Sequence, residues 1–276
     1  MLPRIADWTW PFTQEAPQPV PVHILIGRDD WLQAGWTLAS WFHFTECNWS
    51  VVIHDDGTLP EEAAPALKKM LGEIRIISRS EADAALTPVL RAYPFCAEYR
   101  QKHPYALKVF DIPHFARSPR FLIFDSDLLF FNHPREVLDW TRDATDELKF
   151  AEDAQENAPI TAGEAKSELG IKLWPRVDSG LCLLTKSIVN LELCDEALAQ
   201  TSLLSGDLVR VEQTLLMLCA ARFAKGGLLP RAYEVSYGKE AAPEAVARHY
   251  VPPVRDLFYS EGLTRLAPIF FPPEKI

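Results

Sequence analysis

No stretch of the chain approaches the ~18 consecutive apolar residues that a membrane helix needs, so a spanning segment is not expected. Cysteine is sparse. Cys47, Cys96, Cys182, Cys194 and Cys219 are odd in number and widely spaced, and no C-x-x-C pair occurs. Neither a zinc site nor a disulfide framework is supported. Buried free thiols in a reducing compartment are expected instead, and with them a cytoplasmic protein. Bases are in deficit: 28 Lys and Arg stand against 38 Asp and Glu, for a formal net charge of -10. An acidic chain binds nucleic acid and anionic membranes poorly, so neither is expected as a partner. The opening MLPRIADWTWPF lacks a basic segment followed by an apolar one and is not expected to be a secretory signal. Internal repeats, low-complexity tracts and sharp composition shifts are all missing.

What is present is the composition of a folded protein. The 276 residues are 48% apolar and 24% charged, ample for a core. Residues 1–21 carry five prolines and three aromatics and are expected to form a lead-in arm on the surface. From residue 22 to 276 a single domain is expected. VHILIG (22–27) is an apolar, β-branched run with a glycine stop, the pattern of a buried strand. Leu32, Trp36, Leu38, Ala39 and Phe42 then recur near helical spacing over 31–44. SVVIHDDG (50–57) is a second strand ending in turn residues. Residues 60–71 read as a helix with proline in its opening turn, 73–78 as a third strand and 81–91 as a third helix. Alternating strands and helices predict an α/β fold with a mostly parallel sheet flanked by helices. Ligands in such sheets sit at the carboxyl ends of the strands. Residues 93–118 have no clean period. RFLIFDSDLLFFN (120–132) is the most strand-like run, 141–172 reads as a polar excursion over a cleft, 179–185 as a further strand and 207–224 as a helix. The tail from Ala242 is proline-rich with short aromatic segments.

Asp125-Ser126-Asp127 is the sharpest chemical feature. If the run were a regular strand, its two carboxylates would share one face. Such a pair is costly to bury unpaired, and a hard divalent cation, Mg²⁺ or Mn²⁺, would satisfy both. An isolated D-x-D more often marks a strand end meeting solvent, but the apolar flanks FLIF and LLFF argue against that here. His249 offers a third metal ligand, with a structural histidine as the plainer alternative. Asp178-Ser179-Gly180 precedes a strand, as a cleft-lining turn or an ordinary one. Glu212-Gln213 opens an apolar helix, either as its polar face or as donors and acceptors for substrate hydroxyls. Asp55-Asp56-Gly57 is a turn whose carboxylates could accept from a base or ribose. Arg28, Lys108 and Arg255 are cations able to neutralise a diphosphate, although each resembles an ordinary surface charge.

The ordered set resembles the GT-A-fold glycosyltransferases, with the layout of the glycogenin-like family 8 enzymes, over about residues 22–260. The resemblance implies a metal-binding D-x-D at Asp125 and Asp127, with Ser126 between them at the nucleotide sugar, and a metal-binding histidine at His249. It places Arg255 where a lysine meets the diphosphate, Asp178 where an asparagine precedes Ser-Gly, and Glu212 where an aspartate precedes Gln213. Arg28, Asp29 and Trp31 occupy the nucleoside-contacting region after the first strand. IHDDGTL also resembles the D-D-G-S turn of family 2 transferases, which makes Asp55 and Asp56 base contacts. The implied activity is sugar transfer from a nucleoside diphosphate sugar, a UDP-sugar favoured, to an acceptor hydroxyl, with Mn²⁺ or Mg²⁺. Asp178, Glu212 and Gln213 would hold the donor sugar or acceptor, and Lys108 would add positive field. The replacements at 178, 212 and 255 alter the sugar pocket, and the mixed family 8 and family 2 signature leaves stereochemistry open.

Two other classes remain open at this level. The D-x-D also resembles the nucleophile motif of haloacid-dehalogenase-like phosphatases. That motif usually opens its domain and continues with Thr or Val where this chain has Leu129, whereas here about a hundred residues of β/α pattern precede it. A non-catalytic nucleotide- or glycan-binding module is the third reading.

Overall fold

The computed structural model describes residues 1–12, 15–156, 158–223 and 225–272. Thr13 and Gln14 of the arm, Asn157 of the excursion, Ala224 at the end of the expected helix and 273–276 of the tail lie outside the described residues. The first half alternates as expected. Strand β1 (Gln18–Ile26) leads to helix α1 (Trp31–Thr45), β2 (Trp49–Asp55), α2 (Ala63–Leu71), β3 (Ile74–Ile77) and α3 (Arg79–Leu90). Pro19 and Pro21 donate no ladder hydrogen bonds, and the β1–β2 register shifts between Gln18 and Val22. Helix α3 starts two residues earlier than expected. Ser78 Oγ accepts the Glu81 N–H at 3.2 Å, the start of an S-x-x-E capping box.

The region without a clean period, 93–118, contains two helices, α4 (Pro94–Lys102) and α5 (Ala106–Phe115). Ala106 to Pro113 are all buried, so α5 has no polar face to make a period. The run 120–132 is not one strand. It is β4 (Arg120–Phe124), a turn at Asp125–Asp127, and β5 (Leu128–Phe130). Helix α6 (Arg135–Arg142) follows. The expected polar excursion then supplies a sheet strand, β6 (Leu148–Glu152), and helix α7 (Ala162–Leu169). The rest is β7 (Val177–Thr185), α8 (Leu191–Gln200), α9 (Val211–Phe223), β8 (Gly226–Leu228), β9 (Tyr233–Glu234) and β10 (Ala247–His249). The tail forms α10 (Arg255–Leu257), a π-helical turn (Phe258–Gly262) and α11 (Leu263–Phe270).

The strands form one sheet in the order β3-β2-β1-β4-β7-β6-β9-β10-β5, with β8 beside β6. Pairing is mainly parallel; β4–β7, β6–β7 and β5–β10 are antiparallel. Alternation along β4 shows the two layers. Leu122 and Phe124 face the core under α1, α2 and α11, while Phe121 and Ile123 face the core under α5, α8 and α9. Each such buried side chain contributes ~1.5–3 kcal/mol. The residues expected as a surface arm enter the first core: Ile5 and Trp10 are buried there, and the Trp10 indole N–H donates to Asn48 Oδ1. Strand β4 is central in this order and β5 stands at its end, and the Asp125–Asp127 turn follows the carboxyl end of β4.

Candidate active site

Three elements hold the Asp125–Asp127 turn. The Asp125 N–H donates to the Gly180 carbonyl of β7 at 2.9 Å. The Tyr250 N–H, just past β10, donates to the Asp127 carbonyl at 2.9 Å. The Thr37 hydroxyl of α1 donates to the Ser126 carbonyl at 2.7 Å. The turn aims both carboxylates at His249. Its Nε2 lies 3.0 Å from Asp127 Oδ1 and 3.6 Å from Asp125 Oδ2. One ligand atom from each of Asp125, Asp127 and His249 falls within 4.8 Å of the others. The other ring nitrogen, Nδ1, meets Asp178 Oδ1 at 2.9 Å. Asp178 Oδ1 also accepts the Gly180 N–H at 3.0 Å. Gly180 is required by contact: a Cβ there would stand 2.3 Å from His249 Nδ1.

Every buried charge in this cluster has a counter-charge. Burial opposes protonation of His249, but Asp178 and Asp127 raise its pKa well above the ordinary 6.5. Burial would raise Asp127, yet His249 and Arg255 hold it below the usual carboxylate range. The Arg255 Nη2 donates to Asp127 Oδ2 at 2.8 Å. Lys108 is buried, which disfavours its charge, but Asp125 and Glu212 raise its pKa well above normal. Its Nζ lies 2.7 Å from Asp125 Oδ1 and 3.2 Å from Glu212 Oε1. Burial raises Glu212 to about 7, with Lys108 opposing and Asp125 adding. The Ser179 hydroxyl donates to Glu212 Oε2 at 2.9 Å, and the Ser179 N–H to Gln213 Oε1 at 3.3 Å. These contacts join the x-S-G and E-Q motifs into one wall.

The wall faces a cleft of about 430 Å³ at the carboxyl ends of the strands. Asp125, Ser126, Asp127, Lys108, Asp178, Glu212, Gln213, His249 and Arg255 all line it. Arg28, Asp29, Asp55 and Asp56 do not line it. They lie at the end of β2 and in the turns that follow β1 and β2. The Arg28 N–H donates to Thr58 Oγ1, Asp55 Oδ1 accepts the Gly57 and Leu59 N–H groups, and Asp56 Oδ1 accepts the Thr58 N–H. The Asp56 carboxylate lies so close over Gly27 that a Cβ there would stand 2.4 Å away.

The cleft also contains Asp30, which the strand-end position marks for inspection together with Arg28 and Asp29, and three residues that sequence reading passed over: Tyr105, Asp153 and Tyr237. Asp30 follows directly on Arg28-Asp29 at the first strand end, a visible signal. It accepts the Gly27 N–H at 2.6 Å, and burial raises its pKa to about 6, with Asp56 and Asp127 adding. Asp153 directly follows the short strand β6, which polar surroundings hid. Tyr105 and Tyr237 have no local signature.

Two carboxylates and one imidazole that share a cleft wall form an oxygen-rich ligand set with one nitrogen, and they could hold Mn²⁺ or Mg²⁺. Asp178 on the far nitrogen of His249 completes the carboxylate–histidine support that orients metal-binding rings.

No family model matches the chain, and no curated protein matches its sequence. Solved structures do match its fold. The apo structure of the WbbM bifunctional glycosyltransferase superposes with a TM-score of 0.55 at 13% identity, covering 94% of this chain and 51% of that one. The chain therefore spans about half the length of WbbM. The galactosyltransferase LgtC, in complex with donor and acceptor sugar analogues, gives 0.52 at 14% identity over 92% of this chain and 98% of its own. Core-mannan synthase A from Aspergillus fumigatus, in its Mn/GDP form, gives 0.51 at 11% identity over 79% of this chain and 74% of its own. At such identities the likeness shows the fold. The chain has the GT-A fold of these glycosyltransferases, as the motif order implied.

Proposed function

We propose that the protein transfers a sugar from a nucleoside diphosphate sugar, with UDP as the favoured nucleotide, to an acceptor hydroxyl. The cluster of Asp125, Asp127 and His249 in the cleft of a GT-A fold carries this reading. These residues would hold Mn²⁺ or Mg²⁺, which supplies positive charge for the diphosphate leaving group. The bond from the anomeric carbon to the diphosphate breaks with its electron pair going to the diphosphate oxygen, a bond to the acceptor oxygen forms, and the acceptor proton passes to the departing diphosphate or to water. Arg255 and Lys108 present fixed cations where negative charge develops on the leaving group. Asp178 orients the His249 ring. Glu212 balances Lys108 from behind, and with Gln213 it forms the sugar-side wall. Ser126 sits in the turn at the donor, and Asp30 serves the nucleoside end, with Arg28, Asp29, Asp55 and Asp56 in the strand-end turns outside the lining. The reading takes 22–276 as one domain, with 1–21 as an arm that packs into its first core and supplies the start of β1.

The haloacid-dehalogenase alternative needs a protonated second aspartate as general acid. Asp127, held below the usual range by two cations, is poorly suited to that role. Nucleic acid is not part of the reading. No described helix is long and apolar enough to cross a membrane. The cysteines are free, with Cys96, Cys182, Cys194 and Cys219 buried, in keeping with a cytoplasmic location.

The test is a thermal-shift panel of UDP-, GDP-, dTDP- and CDP-sugars, each with and without Mn²⁺. Saturation at ~100 times Kd should stabilise by about 2.7 kcal/mol. A shift that needs one nucleotide sugar and the metal together is expected. No metal-dependent shift across the panel would overturn the donor-site reading.

A further inference from the structure

Side chains along a strand alternate faces. His249 points at the aspartates, and its neighbours Arg248 and Tyr250 point the other way. Arg248 is fully buried. Its Nη1 donates to Glu261 Oε2 at 2.9 Å, and its Nη2 donates to the carbonyls of Ser236 at 3.1 Å and Gly238 at 2.5 Å. Tyr237 lies between those two carbonyls. It lines the cleft, and its hydroxyl reaches Asp153 Oδ1 at 3.4 Å. Glu261 gathers more of the same region. It accepts the Tyr250 hydroxyl at 2.6 Å and the Ala241 N–H at 2.9 Å.

Glu261 sits in the π-helical turn Phe258–Gly262, shortly after Arg255. Such turns are rare and concentrate at functional sites. A Cβ at Gly262 would stand 2.5 Å from Leu129 Cδ1 and 3.0 Å from the Tyr250 hydroxyl, so the turn is pressed onto β5 and β10. A buried guanidinium–carboxylate pair is a poor choice for stability alone. Desolvation offsets most of its attraction, and apolar residues of similar volume often do as well. Geometry is what such a pair adds. Here it joins β10, the loop that carries Tyr237 and the segment that carries Arg255.

We propose that the Arg248–Glu261 pair is a positioning device that locks loop 236–241 and the C-terminal helical segment to β10, so that Tyr237, His249 and Arg255 keep one arrangement across the cleft. The effect on the metal rests on the reading of Asp125, Asp127 and His249 given above; the effect on the loop does not.

The test uses the full chain and two readouts: amide hydrogen exchange, and Mn²⁺ affinity from the electron paramagnetic resonance signal of free Mn²⁺. Glu261→Gln keeps the side-chain shape and removes the charge opposite Arg248. It is expected to raise exchange in 236–241 about tenfold, leave β1 to β4 protected, and weaken Mn²⁺ binding about tenfold. The apolar pair Arg248→Met/Glu261→Met is expected to recover the wild-type melting temperature without recovering protection of 236–241. A purely structural pair would recover both. Tyr250→Phe removes one hydrogen bond and is expected to show the Glu261→Gln pattern at smaller amplitude; it decides the matter if Glu261→Gln does not fold. A uniform rise in exchange, or unchanged protection of 236–241 in the folded variants, overturns the proposal. So does unchanged Mn²⁺ affinity in Glu261→Gln while the wild type binds the ion. If the wild type takes up no Mn²⁺, the metal reading fails, and exchange in 236–241 still decides whether the clamp exists.

Discussion

His249 and the His23–His54 pair are both buried, and the protein treats them in opposite ways. Burial lowers His23 to about 3, with Arg75 adding to the effect. His54 falls well below 6.5 through burial first, then His23 and Arg75. The two rings share a hydrogen bond of 2.9 Å between His23 Nδ1 and His54 Nε2, and their outer nitrogens have no partner among the described residues. His249 is buried as well, but Asp127 and Asp178 flank it and raise it far above the ordinary value. Burial by itself makes imidazole neutral. Facing carboxylates make it positive, and the same carboxylates can hold a metal cation. What separates a core histidine from a site histidine is therefore the charge of its neighbours, not its depth.

Asp127→Asn should break the comparison most severely. It removes a proposed metal ligand and the carboxylate that pairs with Arg255. Mn²⁺ affinity should fall more than ~100-fold, beyond the 10–100-fold range of supporting residues, with the far-ultraviolet circular dichroism unchanged. Calorimetric titration of Mn²⁺ in the presence of UDP measures this, and full metal-dependent binding by the variant would remove Asp127 from the site.

The histidine pair gives the next effect, through pH. The folded pKa of His23 lies below the 6.5 of an unfolded histidine. Between pH 6.5 and about 3 the unfolded chain binds a proton that the native state does not. Stability is therefore lost as pH falls through that window. At pH 5 the loss is about 2 kcal/mol for His23. The double variant His23→Leu/His54→Leu should lose less stability on acidification by at least that amount, because His54 is lowered as well, measured by urea unfolding at pH 7.5 and pH 5. His249 in the metal-free protein has the opposite sign. Its folded pKa is raised, so its contribution is complete below pH 6.5 and is lost as pH rises through the folded value. An unchanged acid-side slope in the double variant would show that the pair is not kept neutral by the fold.

Asp178→Asn sharpens the comparison with the smallest effect. It leaves the three proposed ligands in place and removes the charge behind the His249 ring. A fall in Mn²⁺ affinity of about tenfold is expected, together with a drop in the His249 pKa followed by NMR in the metal-free protein. An unchanged His249 titration would mean that Asp127 alone sets it.

Much of the site was legible as motifs, because each motif keeps its chemistry in adjacent residues. D-x-D, x-S-G, E-Q and the late histidine all line the cleft. Asp55 and Asp56 were equally visible, but a D-D-G turn satisfies its own carboxylates locally, and the structure places them outside the lining. Helix α5 was illegible because burial on all sides erased its period. Tyr237 was illegible because a buried arginine eleven residues later in the chain grips the backbone around it.

The sequence by itself determined the alternation of the first three β/α units, the acidic character and the residue types able to hold a divalent cation. Those follow from local pattern and side-chain chemistry, which need no partner in space. Tertiary structure alone decided that the run 120–132 splits into a central and an edge strand. It also decided that Asp125, Asp127 and His249 meet, and that Lys108 bridges Asp125 and Glu212. These depend on contacts between separate elements, up to the 122 residues between Asp127 and His249, and such contacts exist only once the two cores have packed against the sheet.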